Sequence, residues 1–330
     1  MSVIDAFSPP RLTWRTRLGK WFNGTVAENA VLPALGVAAF LLVWSIVASQ
    51  INTSLGAFPG PVQVVQQANA LIGEHRDERK KEAAFYQRQE DRNAKRLEKE
   101  PDFKPKIRAY TGKPTYLDQI LTSILTVLTG FVLASAIAIP AGIMIGLSRS
   151  IHSAVNPLVQ LFKPVSPLAW LPLVTMVVSA VYVTDDPMFE KSFINSVVTV
   201  MLCSLWPTLI NTSVGVANID PDLKNVSRVL RLGRLTHIRR VVLPSSLPMI
   251  FTGLRLSLGV AWMVLIAAEM LAQNPGLGKF VWDEFQNGSS QSLARIMVAV
   301  ITIGLIGFAL DRTMLVLLRR VAWDPEIAKR

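Results

Sequence analysis

A run of arginines is the densest concentration of reactive side chains in this sequence. Arg228, Arg231 and Arg234 stand three residues apart, and Arg239 and Arg240 follow closely. Guanidinium groups form bidentate hydrogen bonds with carboxylates, but this spacing supplies neither a nucleophile nor an acid–base pair. These arginine side chains could therefore bind acidic or carbonyl groups of a partner protein. The simpler alternative is that these charges only hold the segment on one side of a membrane.

The side chains that usually carry catalysis are scattered. His75, His152 and His237 lie far apart, and none has the spacing of metal ligands. The single cysteine, Cys203, lies in an apolar run, which favours a packing role. The sequence also contains no Gly-x-x-x-x-Gly-Lys-Ser/Thr phosphate loop. We therefore expect no metal, no cofactor and no nucleotide hydrolysis in this chain itself.

The composition identifies an integral membrane protein. Of 330 residues, 51% are hydrophobic and only 17% are charged, against about 25% charged in an average soluble domain. The mean hydropathy is +0.38. The net charge of +11 could indicate nucleic-acid binding, but the basic residues flank apolar stretches. We therefore expect no nucleic-acid partner.

Six apolar stretches are long enough to cross a bilayer, which takes about twenty helical residues. The predicted spans are residues 31–50, 119–147, 156–183, 193–216, 249–272 and 293–318. Prolines at 157, 164, 167 and 172 interrupt the third, so we expect its first part to be a short in-plane helix or a broken entry. The predicted fold class is an all-α membrane protein of about six transmembrane helices.

The positions of the basic residues predict the orientation. The N-terminus, the loop around Arg149, the arginine run and Arg319-Arg320 would share one side, which the positive-inside rule puts in the cytoplasm. The chain would then consist of a cytoplasmic amphipathic segment (1–30), the first span and a periplasmic segment (31–72), a charged periplasmic insert (73–114), a membrane core (115–320) that contains a basic loop (217–248), and a cytoplasmic tail (321–330).

The charged insert is predicted to be helical and solvated. Asp77 and Lys81, like Asp91 and Lys95, have the i,i+4 spacing of helix-stabilising pairs. Its few apolar residues cannot build a core, so we expect a helical hairpin or excursion and not a separate domain.

The basic loop fits two short helices joined by a turn at Gly233, with Pro244 ending the second. It resembles the coupling loop of bacterial ABC-importer permeases in the nitrate, sulfonate and taurine branch. Residues 239–244 match an Arg-Arg-Val-Val-Leu-Pro ending, residues 225–227 stand where that family has Glu-Ala-Ala, and Arg231 stands where it has Gly. Further segments resemble the same branch in the same order: Pro164–Pro172, Thr252–Arg255 with Ala261 and Trp262, Ala267–Met270, and Gly276–Gly278. The details look most like nitrate-type permeases.

The resemblance implies a type I importer permease that works with separate ATPase subunits, which would bind ATP and Mg. It also implies a periplasmic or tethered substrate-binding protein, a second permease copy (most simply a homodimer), and surrounding lipid of the bacterial inner membrane. The loop residues implied to couple to the ATPase are Asn225, Ser227, Arg228, Arg231, Gly233, Arg234 and Pro244. The insert is then either a docking surface for the binding protein or a solvated insertion.

Polar and aromatic side chains within the spans are candidates for the translocation path, although each alone is more often a helix–helix contact. They are Ser166, Trp170, Trp206, Asn211, Ser257 and Trp262. The stripe of Gly253, Ser257 and Ala261 favours a close helix interface. Glu269 is assigned a structural role, because a fixed carboxylate in the path would repel an anion.

The substrate implied by the resemblance is a small oxyanion, nitrate first, with sulfonate, taurine or cyanate as alternatives. A secondary transporter driven by an ion gradient is the alternative of a different class. It predicts buried carboxylate or histidine relays and inverted repeats, which the sequence does not display.

Overall fold

The computed structural model describes residues 31–53, 56–100, 104–105, 107–183 and 189–321. The predicted amphipathic helix of residues 1–30 lies outside the described residues, as do residues 322–330 of the predicted tail.

The described chain is almost entirely helical, as the composition predicted. Its helices are α1 (Leu32–Gln50), α2 (Pro61–Leu97), α3 (Tyr116–Leu147), α4 (Arg149–Phe162), α5 (Pro167–Val181), α6 (Lys191–Ala217), α7 (Pro221–Val229), α8 (Arg234–His237), α9 (Leu243–Ala272), α10 (Leu277–Asn287) and α11 (Ser292–Val321). A π-helical turn, Ile238–Val242, joins α8 to α9. A short antiparallel pair, β1 (Asn52–Thr53) and β2 (Gly56–Ala57), departs from the all-α prediction.

The number of membrane spans agrees with the sequence. Within the described residues five helices are long and apolar enough to cross a membrane, or up to six spans if the bent pair of α4 and α5 counts as one. These two helices meet at 99°. The break follows from the prolines, because Pro164 lies between the helices and Pro167 opens α5. The predicted broken third span is therefore confirmed.

The chain divides into two compact units, Met1–Gln66 and Gln67–Arg330. The first contains α1, the β1–β2 hairpin and the beginning of α2. All of the contacts described below lie within the second unit.

The centre of the second unit is the packing of α3 on α6. A Cβ placed on Gly130 would lie 2.7 Å from Val200 Cγ1, and one on Gly142 would lie 2.7 Å from Thr212 Cβ. Glycine is needed at these positions because the backbones approach so closely. The contact positions rise together along both helices, so α3 and α6 are parallel. The chain must therefore return between them, and the bent pair of α4 and α5 makes that return.

Helix α9 runs antiparallel to α6 on a stripe of small residues. Gly253 abuts Thr208, and Ser257 donates to the Ser204 carbonyl oxygen at 2.5 Å. Ala261 on the same stripe is fully buried. The predicted close helix interface is confirmed, because small side chains allow close backbone approach.

Of the two predicted forms of the insert, a helical hairpin or an excursion, the described residues show an excursion with one long helix. Helix α2 runs unbroken for 37 residues to Leu97, and no helix spans the described residues between it and α3. The predicted i,i+4 pair also differs, since Lys81 bonds to Glu78 and Lys80 bonds to Asp77 with i,i+3 spacing. The reason is that residues 98–115, which we call the return segment, lack the periodic apolar face that a second helix would bury.

Polar contacts fix α2 to one end of the helix bundle. His75 Nδ1 lies 2.6 Å from Thr115 Oγ1, and Arg79 Nη2 lies 2.9 Å from Asp118 Oδ2. We call this the insert end. The opposite end, where the basic loop lies, is the loop end.

A second contact joins the segment after α2 back to α2 itself. The Tyr110 hydroxyl donates to Glu78 Oε1 at 2.7 Å. This hydrogen bond, with a smaller contribution from Lys81, lowers the pKa of Glu78 below its ordinary value of 4.5. The same bond raises the pKa of Tyr110. The return segment is thus held to α2 by a charged acceptor.

Candidate functional site

The first helix of the basic loop has clear start and stop signals. Asp220 caps α7 by accepting from the Asp222 N–H at 2.8 Å, and Pro221 occupies the first turn. The helix ends where Arg231 takes a left-handed conformation with φ of 48°. The Leu232 N–H then donates back to the Ser227 carbonyl oxygen at 3.1 Å. This is the usual closure of a helix on a left-handed residue.

The two predicted short helices are present and Gly233 lies in the connection between them, but Gly233 is not the residue that makes the left-handed turn. Gly233 has φ of −63° and ψ of 154° and caps α8 at its N-terminus, a conformation open to any residue. Arg231 makes the left-handed turn instead, at the position where the resembled family has Gly. An arginine there is strained, by about 1–2 kcal/mol for a left-handed non-glycine residue.

The assignment of Pro244 as a helix end was also wrong. Helical structure continues from Arg234 through the π turn into α9, as one run of 39 residues to Ala272. Proline is tolerated because it falls in the first turn of α9, directly after the π turn. The Ser246 hydroxyl donates to the Val242 carbonyl oxygen at 2.6 Å at this junction. The basic loop is therefore continuous with a membrane helix.

A partly buried hydrogen bond joins the two short helices. Ser227 Oγ lies 2.7 Å from His237 Nδ1, and Ser227 is buried while Asn225 and Arg228 on the same helix are exposed. Ser227 therefore links α7 to α8. The sequence offered no signal for its pairing with His237, because the two residues lie in different helices.

Basic side chains from two parts of the chain line one cleft at the loop end. The cleft measures about 760 Å³, and its described lining includes no aspartate or glutamate. Its basic residues are Arg149, Lys224, Arg228, Arg231, Arg234 and His237. The structure thus brings together three of the predicted arginines and adds Arg149 from α4. Charge alone predicted that Arg149 shares a side with the loop, but not that it shares a cleft.

Exposed apolar side chains accompany these arginines. Val229 is 82% exposed and Leu235 is 64% exposed, and Leu223, Val226 and Leu230 are also exposed. An exposed apolar patch edged by arginines is typical of a protein–protein interface. The loop therefore presents a recognition surface in addition to a charged one.

Comparison with known proteins identifies the family. Residues 138–323 match the family described as the binding-protein-dependent transport system inner membrane component. This chain belongs to that family. The permease is 31% identical over 286 residues to the nitrate import permease protein NrtB of Synechocystis sp., covering 87% of each chain. It is 32% identical over 301 residues to the bicarbonate transport system permease protein CmpB of Synechococcus elongatus, covering 91% of this chain and 88% of that one.

A solved structure matches the fold. The permease superposes with a TM-score of 0.54 and 13% identity on a chain from the MetNI methionine ABC transporter in its inward-facing conformation, covering 62% of this chain and 95% of that chain. The predicted permease fold is confirmed. As the membrane subunit of an ABC importer, this chain is the transport component and not the catalytic one.

The path candidates of the permease fall into two groups. Ser257 and Trp262 are buried between helices, where Ser257 receives the Thr208 hydroxyl at 2.7 Å and Trp262 Nε1 donates to the Ile303 carbonyl oxygen at 3.0 Å. These two residues are helix contacts and do not line an open surface. Asn211 Nδ2 donates to the Pro207 carbonyl oxygen within its own helix at 2.8 Å.

The other group lies at the bend between α4 and α5. Trp206 stacks on Phe162 with ring centroids 6.3 Å apart, and Trp170 packs on the same ring at 6.0 Å. Ser166 caps α5 by accepting from the Leu168 N–H at 3.3 Å. These residues hold the bend.

Glu269 lies in the last turn of α9, at the insert end, and bonds to two neighbouring helices. Its carboxylate is fully buried, accepts from the Ser123 hydroxyl at 2.8 Å, and accepts from the Gly278 N–H at 2.9 Å. The Ser123 hydroxyl oxygen in turn accepts from the Leu277 N–H at 2.9 Å. The carboxylate joins α3, α9 and α10, a structural role consistent with the sequence-based assignment.

Proposed function

We propose that this permease forms the path for a small oxyanion and docks separate ATPase subunits through its basic loop. The observation that carries the proposal is the loop itself: a patch of exposed apolar residues beside a cleft of arginines, on a helical run that continues unbroken into α9. Such a patch is costly to leave in water, so it fits a partner surface.

The mechanism follows from this continuity. A helix that docks in an ATPase groove and extends rigidly into the membrane transmits a displacement along its length. The Ser227–His237 bond keeps α7 and α8 together, so both move with the partner. Closure of the ATPase pair on ATP would then switch the path between inward-open and outward-open states.

The assembly we propose contains two copies of this permease, two ATPase subunits and a periplasmic or tethered binding protein. The basic loop lies on the cytoplasmic side of the bacterial inner membrane and the charged insert on the periplasmic side, in line with the positive-inside rule. A homodimer is the simplest arrangement, because each copy then supplies the same loop to the same kind of partner.

Nitrate is the substrate we propose first, because the sequence details resemble nitrate-type permeases and NrtB is named for nitrate import. Bicarbonate is the second candidate, because CmpB is similar at 32% identity over almost the same length. Both are small planar monoanions. A path that attracts small monoanions without selecting strongly among them would therefore conduct either nitrate or bicarbonate.

The test is reconstitution in proteoliposomes with the ATPase and binding protein of the same organism. Labelled nitrate and labelled bicarbonate are supplied separately, with and without internal ATP. We expect uptake of one of them only with ATP and with all subunits present. Uptake by the permease alone, driven by an ion gradient, would establish the secondary-transporter alternative.

The docking site is tested by charge reversal. Arg228→Glu with Arg231→Glu should abolish co-purification of the ATPase. Arg92→Glu on the exposed face of α2 is the matched control and should leave co-purification unchanged. Equal binding by both variants would refute docking through the loop.

A further inference from the structure

An ion pair joins two helices at the side of a wide groove. The guanidinium of Arg255 on α9 donates through Nε and Nη2 to both carboxylate oxygens of Asp311 on α11, with Nη2 to Oδ2 at 2.9 Å. The side chains are nevertheless 47% and 35% exposed. A bidentate pair of this kind is geometrically well defined, yet the described chain leaves it open on one side.

The ion pair lies in a groove between α9 and α11, and all of its described lining residues belong to these two helices. The stripe that includes Ser257 and Ala261 is buried against α6. By contrast, Leu256 and Met263 are exposed, and a Cβ on Gly259 would meet no atom within 4 Å. These residues line a groove of about 1040 Å³ that also contains the ion pair.

The depth of the pair argues against contact with lipid. Arg255 lies six residues after the start of the predicted span 249–272, and Asp311 lies seven residues before the end of the predicted span 293–318, so each is about two helical turns inside the membrane. Charged groups at such depth are costly in hydrocarbon and normally face protein or a water-filled cavity. The guanidinium is also held sideways by Asp311 and does not extend along its helix toward the loop end. Most residues that line the groove are apolar, so the ion pair is its polar part, and we expect that part to face protein or water in the assembled transporter.

The arginine keeps the capacity to bind an anion. A guanidinium has five N–H groups, and two of them donate to Asp311. Within the described part of the chain, no other acceptor is recorded for Arg255. Arg255 lines a groove of about 1040 Å³, which has room for a hydrated oxyanion, while Asp311 offsets the full charge. A partly neutralised arginine attracts an anion without trapping it.

We propose that Arg255 is an anion-recognising residue of the translocation path, with Asp311 as the positioning residue that fixes its guanidinium. This inference rests on the proposed transport of a small oxyanion. Arg255 is not among the six path candidates that the sequence predicted. The proposal also makes the groove between α9 and α11 part of the aqueous path.

The first experiment measures access and charge selectivity, and it does not require the transported substrate to be known. In a Cys203→Ala background, Leu256→Cys and Met263→Cys are each introduced into the assembled complex with its ATPase. Their modification rates are compared for anionic sulfonatoethyl and cationic trimethylammonioethyl methanethiosulfonate. Val264→Cys on the buried side of α9 is the matched control.

We expect both groove cysteines to react and the control to remain unreactive. Adding Arg255→Gln should lower the ratio of anionic to cationic rates by at least about tenfold, the scale of electrostatic focusing in a cleft. If neither groove cysteine reacts, or if the ratio is insensitive to Arg255, the proposal is wrong. A groove sealed by the second copy would give the first of these results, together with Met263→Cys crosslinks between copies.

The second experiment separates recognition from a merely structural ion pair. Arg255→Gln and the double variant Arg255→Gln, Asp311→Asn are reconstituted, and uptake of the substrate identified for the wild type is measured. If the ion pair is only structural, the double variant, in which neither side chain is charged, should recover uptake. Anion recognition predicts that the double variant stays at least about tenfold below wild type. If the wild type itself transports no oxyanion, the proposed function fails, while the reagent ratios still decide whether Arg255 attracts anions.

Discussion

Single residues with positive φ lie at both the loop end and the insert end of the second unit. At the loop end Arg231 adopts the left-handed conformation that closes α7. At the insert end Gly276 has φ of 150°, and its hydrogen faces the buried Glu269 carboxylate. The two positions differ in the space around them. The Arg231 side chain is exposed, whereas a side chain added at Gly276 would overlap the Glu269 carboxylate. They therefore respond differently to substitution.

Gly276→Ala should destabilise the permease strongly. The added methyl group would overlap the Glu269 carboxylate, and the φ value is unfavourable for any residue with a Cβ. The combined strain and overpacking should cost on the order of 3 kcal/mol or more. Thermal unfolding of the purified protein in detergent measures the effect.

The control for this prediction is Gly304→Ala in α11, where a Cβ meets no atom within 4 Å. There the higher helix propensity of alanine should leave stability unchanged or increase it by about 0.5–1 kcal/mol. Similar unfolding temperatures for the two variants would contradict the tight packing at Glu269.

Arg231→Gly should stabilise the fold and weaken the partner contact. Glycine removes the left-handed strain, which is worth about 1 kcal/mol, and it also removes a guanidinium from the basic cleft. We expect a higher unfolding temperature together with weaker co-purification of the ATPase. A lower unfolding temperature would mean that the Arg231 side chain contributes more to the loop than its backbone costs.

At the scale of helices, the sequence predicted what depends on local pattern. The apolar stretches predicted the first, second, fourth and sixth spans to within three residues at each end, and four prolines predicted the broken third span. The fifth helical run begins fifteen residues before the predicted span, because it includes the end of the basic loop. The sequence did not predict which distant segments contact each other. The parallel register of α3 on α6 depends on which small residues meet, as Gly142 meets Thr212. The continuity of the basic loop with α9 depends on a π turn, which has no sequence pattern of its own.

The insert shows the same limit in a polar segment. Its charge predicted a solvated helix, but the length of α2 and its attachment through Arg79 and Asp118 depend on a partner helix far along the chain. Within the basic loop the arginines were predicted, whereas the burial of Ser227 was not. A hydroxyl that bonds to a histidine ten residues later looks the same in sequence as one that faces solvent.

The insert should loosen in acid. Because the pKa of Glu78 is lowered in the folded protein, its contact with Tyr110 contributes fully above the ordinary value of 4.5. That contribution is lost as the pH falls through the lowered value, since the protonated carboxyl is the weaker acceptor. Limited proteolysis of the segment between α2 and α3 should accelerate in that acidic range.

Tyr110→Phe provides the comparison. Without the hydroxyl, the largest cause of the lowered pKa of Glu78 is absent, so the variant should be cleaved faster at neutral pH and depend less on acid. Identical profiles for the variant and the wild type would rule out this bond as the link between the return segment and α2.

On the scale of the whole molecule, the helix directions place the insert and the basic loop at opposite ends of the second unit. Helix α3 begins beside the insert contacts and ends at the basic cleft, and α6 runs parallel to it. An odd number of crossings therefore separates the two charged segments. Counting basic residues led to the same arrangement, although the insert is itself rich in lysine and arginine. In the orientation we propose, the insert is periplasmic despite these basic residues, and its interleaved acidic residues offset their charge.

This arrangement predicts opposite accessibility for two engineered cysteines. In a Cys203→Ala background, Arg234→Cys lies in the exposed basic loop, and Glu90→Cys lies on α2. An impermeant maleimide added to intact spheroplasts should label Glu90→Cys only, and Arg234→Cys should react after the membrane is opened. The reason is that an ATPase fuelled by cytoplasmic ATP can reach the loop only from inside. Labelling of Arg234→Cys from outside would place the arginine cleft away from any ATPase and would overturn the coupling mechanism, whichever anion the permease carries.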